Sequence, residues 1–281
     1  MLPTVNAEGR PVVPMTEEQN YTFDVKGWIL IPGVLSAADC DEIKEHVGRV
    51  GDDPQSLDAL DRDIWGQPTQ MLLDHPVVVG VLNEVLAYEP TASDESYGFR
   101  VDTSGLNRRS CGQDRFNPHG GGGLFNFVGN SHTYQCVPGK MNTGLTRVVW
   151  ELNPVGKEDG GTLFVSGSHK AAFDRPEGME DRFHPLWERY ECPAGSVLFF
   201  TEGITHSGDE WRNSEWDRLA IFNLYNTVGH KFSGKPGPTK EQVEAMPPLR
   251  QSLFRGVWCW IGADEHNRAY DRETNVQLQT L

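Results

Sequence analysis

The sequence is poor in cysteine, in positive charge and in long apolar runs. Its five cysteines (Cys40, Cys111, Cys136, Cys192 and Cys259) are scattered among 281 residues and never form a C-x-x-C pair. An odd, unpaired set excludes a disulfide framework and a paired-cysteine zinc site, and fits a reducing compartment. Lys and Arg number 25 against 40 Asp and Glu, a net charge of -15. Such a chain repels phosphate backbones and anionic membrane surfaces, so neither nucleic acid nor membrane is an expected partner. No apolar run is long enough to cross a bilayer, and no basic stretch leads into an apolar one at the N-terminus. The expected location is the cytoplasm.

Several nucleotide and hydrolase motifs are missing too. There is no H-E-x-x-H and no G-x-S-x-G. The stretch Gly229 to Lys235 imitates a phosphate loop, but Pro236 stands where a Ser or Thr should be. Glycines 120–123 fail the dinucleotide fingerprint, because Phe125 and Asn126 fall where its last Gly or Ala belongs.

What is present is glycine (30), proline (18), eight Trp and thirteen Phe. Turn formers with many large aromatics describe a loop-rich β protein with a real core. Residues 1–15, with Pro3, Pro11 and Pro14, read as a flexible arm. Residues 16–281 read as a single domain. Gly27 to Ile31 is a short buried strand closed by Pro32-Gly33. Ser36 then caps a helix carrying Cys40, Ile43 and Val47 inward, and Pro76 to Leu86 is a second helix. Residues 51–64 are acidic loop. From Tyr97 onward short apolar runs alternate with turn residues: 99–101, 124–128, 145–152, 162–165, 196–200 and 219–225. This spacing predicts a mainly β sandwich or barrel with flanking N-terminal helices. Residues 170–190 form an insertion over its mouth, and a tail with short helices near 239–246 and 248–255 follows.

The chemistry centres on Asn117-Pro118-His119-Gly120-Gly121-Gly122-Gly123. Four glycines leave empty space beside an imidazole and free the backbone to turn. His206 is the second imidazole, and neutral imidazole suits iron, zinc or copper. In a strand residues i and i+2 share a face, so a His-x-Asp pair can supply two ligands to one metal. Here position i+2 is Gly121 and the carboxylate is absent. Arg218, in an apolar strand, suits bidentate binding of a carboxylate or pairing with a nearby acid. Arg147 helps bind substrate or is a surface strand residue, the second reading being favoured, and His75 and His169 read as structural. His132 and Tyr134 are candidates for a substrate mouth. Trp187, Trp211 and Trp216 cover an apolar substrate or simply pack.

These surroundings resemble the phytanoyl-CoA dioxygenase family of iron(II)/2-oxoglutarate oxygenases, from about Thr22 to Asn226. The likeness is carried by Phe23 to Ser36, by Asp159-Gly160-Gly161 through Gly167-Ser168-His169-Lys170, and by Pro193 to Phe200 followed by His206. The resemblance implies a double-stranded β-helix (jelly roll). It also implies iron(II) held by His119 and His206, 2-oxoglutarate gripped by Arg218, and oxidation of a C–H bond in a small-molecule substrate. The family's His-x-Asp is His-x-Gly here. In related halogenases a Gly or Ala leaves room for chloride, because a centre stripped of an anionic ligand accepts an exogenous anion. Hydroxylation and halogenation are therefore both open. So is a substitute carboxylate (Asp114, Glu151 or Glu202), a two-histidine site completed by 2-oxoglutarate, and a non-catalytic binding protein on the same scaffold.

Overall fold

The protein is described by a computed structural model covering residues 1–121 and 134–257. The strand expected at 124–128, His132, Cys259 and the end of the tail lie outside the described residues. The chain divides into two compact units. One comprises 1–15, 45–104 and the chain from 223; the other comprises 16–44 and 105–222.

In chain order the elements are α1 (Glu17–Lys26), β1 (Trp28–Ile31), α2 (Ala37–Asp52), α3 (Pro76–Val85), β2 (Ala92–Ser93), β3 (Ser96–Tyr97) and β4 (Phe99–Arg109). There follow β5 (Gln135–Val137), β6 (Lys140–Asn142), β7 (Thr146–Glu151), β8 (Thr162–Phe164), β9 (Ser196–Thr201), β10 (His206–Gly208) and β11 (Arg218–Thr227). Two short helices, α4 (Lys240–Ala245) and α5 (Pro248–Gln251), come last among the described residues. The main sheet has the order β1-β9-β7-β11-β4, and β8 pairs with β10 in a separate two-stranded sheet. Both β1 and β7 run antiparallel to β9. Strands β7, β8, β9 and β11 match the expected runs and β4 is far longer than 99–101, while β2, β3, β5, β6 and β10 correspond to none of them.

Helix α1 lies in a stretch with little apolar periodicity and is set by its ends. The Thr16 hydroxyl accepts from the Gln19 N–H while the Gln19 side chain accepts from the Thr16 N–H. This reciprocal cap satisfies two helix-end donors. Ser36 and Asp39 make the same exchange at the start of α2, and Cys40, Ile43 and Val47 are buried as expected. His75 is structural: its ring accepts the Val77 N–H at the start of α3.

Residues 1–15, expected as a free arm, are tied into their unit. Asn6 donates to the Asp74 carbonyl at 3.1 Å, and Glu8 meets the buried Arg250 at 2.8 Å. Arg250 also pairs with Asp74 at 2.8 Å, and Tyr97 donates to that carboxylate at 2.7 Å. Gly80 permits the close approach of this segment to α3, since a Cβ there would sit 1.8 Å from the Val13 carbonyl oxygen. The Asn6 hydrogen bond and the Glu8–Arg250 ion pair fasten the segment.

The other unit packs Trp28, Phe164, Phe200, Ile204 and Trp211 into one apolar cluster, with Trp28 stacked on Phe164 at 4.9 Å. Trp211 is completely buried and its indole N–H goes to the Trp216 carbonyl. Trp187 packs edge-on against Phe116. These tryptophans serve packing. Among the described residues no helix is long and apolar enough to cross a membrane, and the four described cysteines are free.

Candidate metal centre

His119 and His206 meet because their backbones form a β-bridge. His119 N–H donates to the His206 carbonyl at 3.0 Å, and His206 N–H returns the bond at 2.9 Å. The ring centroids are 4.1 Å apart. The glycines after His119 make the crossing possible. Gly120 and Gly121 have φ of 73° and 81°, a region that side chains disfavour. A Cβ on Gly120 would lie 2.1 Å from the Ile204 carbonyl oxygen, and one on Gly121 would lie 2.0 Å from Thr205 Oγ1. The chain at 120–121 therefore lies directly against 204–205, and a side chain at 121 would have to displace the Thr205 hydroxyl.

Both rings are oriented alike. His119 Nδ1 is 2.7 Å from the Asn117 carbonyl oxygen, and His206 Nδ1 is 2.8 Å from that of Ile204. Each Nδ1–H donates to its carbonyl, which leaves each Nε2 lone pair free, the tautomer a metal requires.

Of the three carboxylates that could replace the absent Asp, one joins the histidines. Glu202 Oε2 is 3.6 Å from His206 Nε2, and one ligand atom from each of His119, Glu202 and His206 lies within 4.8 Å of the others. Asp114 is instead bound to Arg182, and Glu151 to Arg218. Two imidazoles and one carboxylate on one face are the donor set that iron(II) oxygenases use, with positions left open. The residues present fit such a metal.

Arg147 is a partner of this site, not the surface residue expected. Its Nε and Nη2 approach Glu202 Oε1 at 2.7 and 2.6 Å, leaving Oε2 toward the histidines. Burial opposes ionisation of Glu202, but the Arg147 guanidinium and the neighbouring His206 hold its carboxyl down to about 2. Burial likewise pushes His206 down to about 4, against the attraction of Glu202. The carboxylate is charged and the imidazole neutral, the states in which both can ligate.

Arg218 is buried at the start of β11. Its Nε and Nη2 straddle Glu151, the first at 3.2 Å, and Nη2 also reaches Thr162 Oγ1 at 3.2 Å and the Tyr190 hydroxyl at 3.0 Å. Thr162 faces Gly208 across the β8–β10 pair, while Phe164 faces His206. The guanidinium thus reaches the residue that faces Gly208, two residues along β10 from His206. His169 is buried, with Nε2 at 3.1 Å from the Asp24 carbonyl, apart from the three ligands. Tyr134 is buried against Asp24 and stacks edge-on with His169 at 4.6 Å.

Both histidines that adjoin here stand out in the sequence, and Glu202 only as one of three alternatives. Arg147 does not, its signal being slight: an Arg beside apolar residues in a strand that pairs with the one leading to Glu202.

The geometry brings two imidazoles and a carboxylate together on antiparallel sheets. The model of the phytanoyl-CoA dioxygenase (PhyH) family matches residues 23–219, and the chain belongs to that family. It is 26% identical over 242 residues to the dioxygenase af480 of Aspergillus fumigatus, covering 81% of this chain and 73% of that protein. Its fold is similar to that of HygX from Streptomyces hygroscopicus solved with iron, at TM-score 0.61 and 22% identity over 78% of this chain and 89% of that one. HygX has also been solved with nickel, 2-oxoglutarate and hygromycin B, at TM-score 0.62 and 22% identity over 77% and 89%. EctD from S. alaskensis, with 2-oxoglutarate and 5-hydroxyectoine, matches at TM-score 0.56 and 17% identity over 79% of each chain. The fold is thus the double-stranded β-helix (jelly roll) with N-terminal helices, and the function is of the oxygenase type.

Proposed function

We propose that the protein is an iron(II)/2-oxoglutarate-dependent oxygenase that hydroxylates an unactivated C–H bond of a small molecule. The observation that carries this reading is the convergence of His119, Glu202 and His206 within 4.8 Å. These three would hold the metal. Bound iron(II) with 2-oxoglutarate supplies the oxidising chemistry, converting oxygen and the keto acid to succinate and carbon dioxide while a C–H bond is oxidised.

The chain's own residues do the rest. The backbone carbonyls of Asn117 and Ile204 fix the imidazole tautomers. Arg147 aims Glu202. Arg218 would bind the far carboxylate of 2-oxoglutarate, with Glu151 gripping its Nε edge and so fixing the plane of the guanidinium. Phe222 under the Arg218 guanidinium at 5.4 Å and Phe200 at 4.9 Å from the His206 ring keep the surroundings apolar, which strengthens each electrostatic contact.

Glu202 also bears on the halogenase alternative. That reading needs an anion vacancy opposite Gly121, and a carboxylate beside both imidazoles supports hydroxylation over capture of chloride. The test is anaerobic titration of metal-free protein with iron(II) and 2-oxoglutarate. A visible charge-transfer band, then succinate on admitting oxygen, is expected. Absence of both would favour a binding protein on this scaffold. A change of spectrum and of product mass with chloride would restore the halogenase.

A further inference from the structure

Arg109, the last residue of β4, is a buried cation short of partners. It is 1% exposed. Its Nη1 donates to the Asp209 carbonyl, while Nε and Nη2 have no hydrogen-bond partner among the described residues. Nε and Nη2 form the edge of a guanidinium that takes a carboxylate as a pair. A buried ion with that edge unmatched is costly, and a carboxylate is the group whose shape and charge match it.

Its position indicates which anion. A Cβ at Gly208 would lie 3.6 Å from Arg109 Nη1. Gly208 faces Thr162 across the β8–β10 pair, and the Thr162 hydroxyl accepts from Arg218 at 3.2 Å. Two guanidiniums therefore approach one cross-strand pair, two residues along β10 from His206. A molecule with a metal-binding group at one end and a carboxylate at the other spans these points.

The local charge points the same way. Arg182, Arg189 and Arg212 all pair with Asp209, Arg182 also pairs with Asp114 and Glu210, and Arg218 pairs with Glu151. With Arg109 this neighbourhood holds five guanidiniums and four carboxylates, and among these described residues Arg109 is the one without an acid. In a protein of net charge -15 a buried surplus cation is out of keeping with the rest. Burial, and then the neighbouring Arg218, lower its affinity for its own proton to a pKa of about 9.

We propose that Arg109 is a second cosubstrate-binding residue, which together with Arg218 receives the far carboxylate of a keto diacid whose other end lies at His119, Glu202 and His206. This rests on the reading of the site as a 2-oxoglutarate centre. It adds a requirement for two guanidiniums where that reading needs one.

The test is calorimetric binding to nickel-loaded, anaerobic protein, with two probes: 2-oxoglutarate, and pyruvate, which shares the keto acid end but lacks the far carboxylate. Arg109→Gln should keep its nickel affinity, lose roughly tenfold or more in 2-oxoglutarate affinity, and bind pyruvate like wild type. Arg109→Lys should fall between, because it keeps the charge and loses the fork; it also serves if Arg109→Gln fails to fold. With ligand absent, Arg109→Gln should melt no lower than wild type, since the repulsion with Arg218 is relieved. Equal 2-oxoglutarate affinity in wild type and Arg109→Gln overturns the inference, as does an equal loss for both probes. If Arg218→Gln abolishes the preference for 2-oxoglutarate while Arg109→Gln leaves it intact, the site reading stands and only this inference falls. If wild type itself does not prefer 2-oxoglutarate over pyruvate, both fall.

Discussion

The Glu202 carboxylate stands 3.6 Å from Nε2 of His206, four residues further along the chain, and its other oxygen is held by Arg147 at 2.6 to 2.7 Å. The carboxylate that a His-x-Asp motif would supply from beside the first histidine is presented here from beside the second.

Removing that charge should remove the metal. Glu202→Gln keeps the size of the side chain but leaves a neutral amide opposite the two imidazoles. Iron(II) or nickel affinity is expected to fall by more than the roughly 10- to 100-fold typical of losing a supporting hydrogen bond. Calorimetry on metal-free protein measures it, and wild-type affinity in Glu202→Gln would mean that the carboxylate is no ligand.

Arg147→Ala should weaken the metal less than Glu202→Gln, by roughly 10- to 100-fold. It leaves the ligand in place and removes what aims it. Arg147→Lys should recover only part of this, because a point charge cannot match the two contacts of the guanidinium. Metal titration of the three variants in parallel gives the ranking, and an Arg147→Ala protein indistinguishable from wild type would reduce Arg147 to a bystander.

Gly121→Asp, which restores the His-x-Asp pattern on paper, should harm the protein. With φ at 81° and a Cβ 2.0 Å from Thr205 Oγ1, the substitution carries backbone strain of about 1–3 kcal/mol and a steric clash besides. Denaturant unfolding should show the loss, with metal affinity not improved. A stable Gly121→Asp protein that binds iron more tightly would contradict the observed path of residues 119–121.

His169 should make stability fall with acid. Burial pushes its folded pKa down to about 4, the Asp24 carbonyl opposing this only in part. The buried Nδ1 has no acceptor for a second proton among the described residues. Between the ordinary value of 6.5 and about 4, the unfolded chain takes up a proton that the folded one refuses. Stability therefore declines as pH drops through this window, by up to about 3 kcal/mol at 1.36 kcal/mol per unit. His169→Gln should flatten this part of the stability profile in urea titrations from pH 7 to 4; an unchanged slope would assign the dependence elsewhere.

The sequence by itself determined much of this protein. Turn residues between apolar runs marked the strands, Ser36 marked the start of a helix, and His119 and His206 stood out by their neighbours. These features are local: a strand's periodicity, a cap and a His-Gly-Gly turn each depend on a few adjacent residues. Helix α1 escaped because its capping pair, Thr16 and Gln19, sits in a segment with no apolar stripe to draw attention to it. Only the tertiary structure decided which carboxylate lies beside the two histidines. Asp114, Glu151 and Glu202 look alike as letters; they are separated by the arginine each one meets, and that depends on contacts between residues 50 to 70 positions apart. The same folding turned Arg147 from a surface residue into the clamp on Glu202 and left Arg109 without an acid. Charge complementarity in a buried site depends on position in space, and the chain's order in sequence does not specify it.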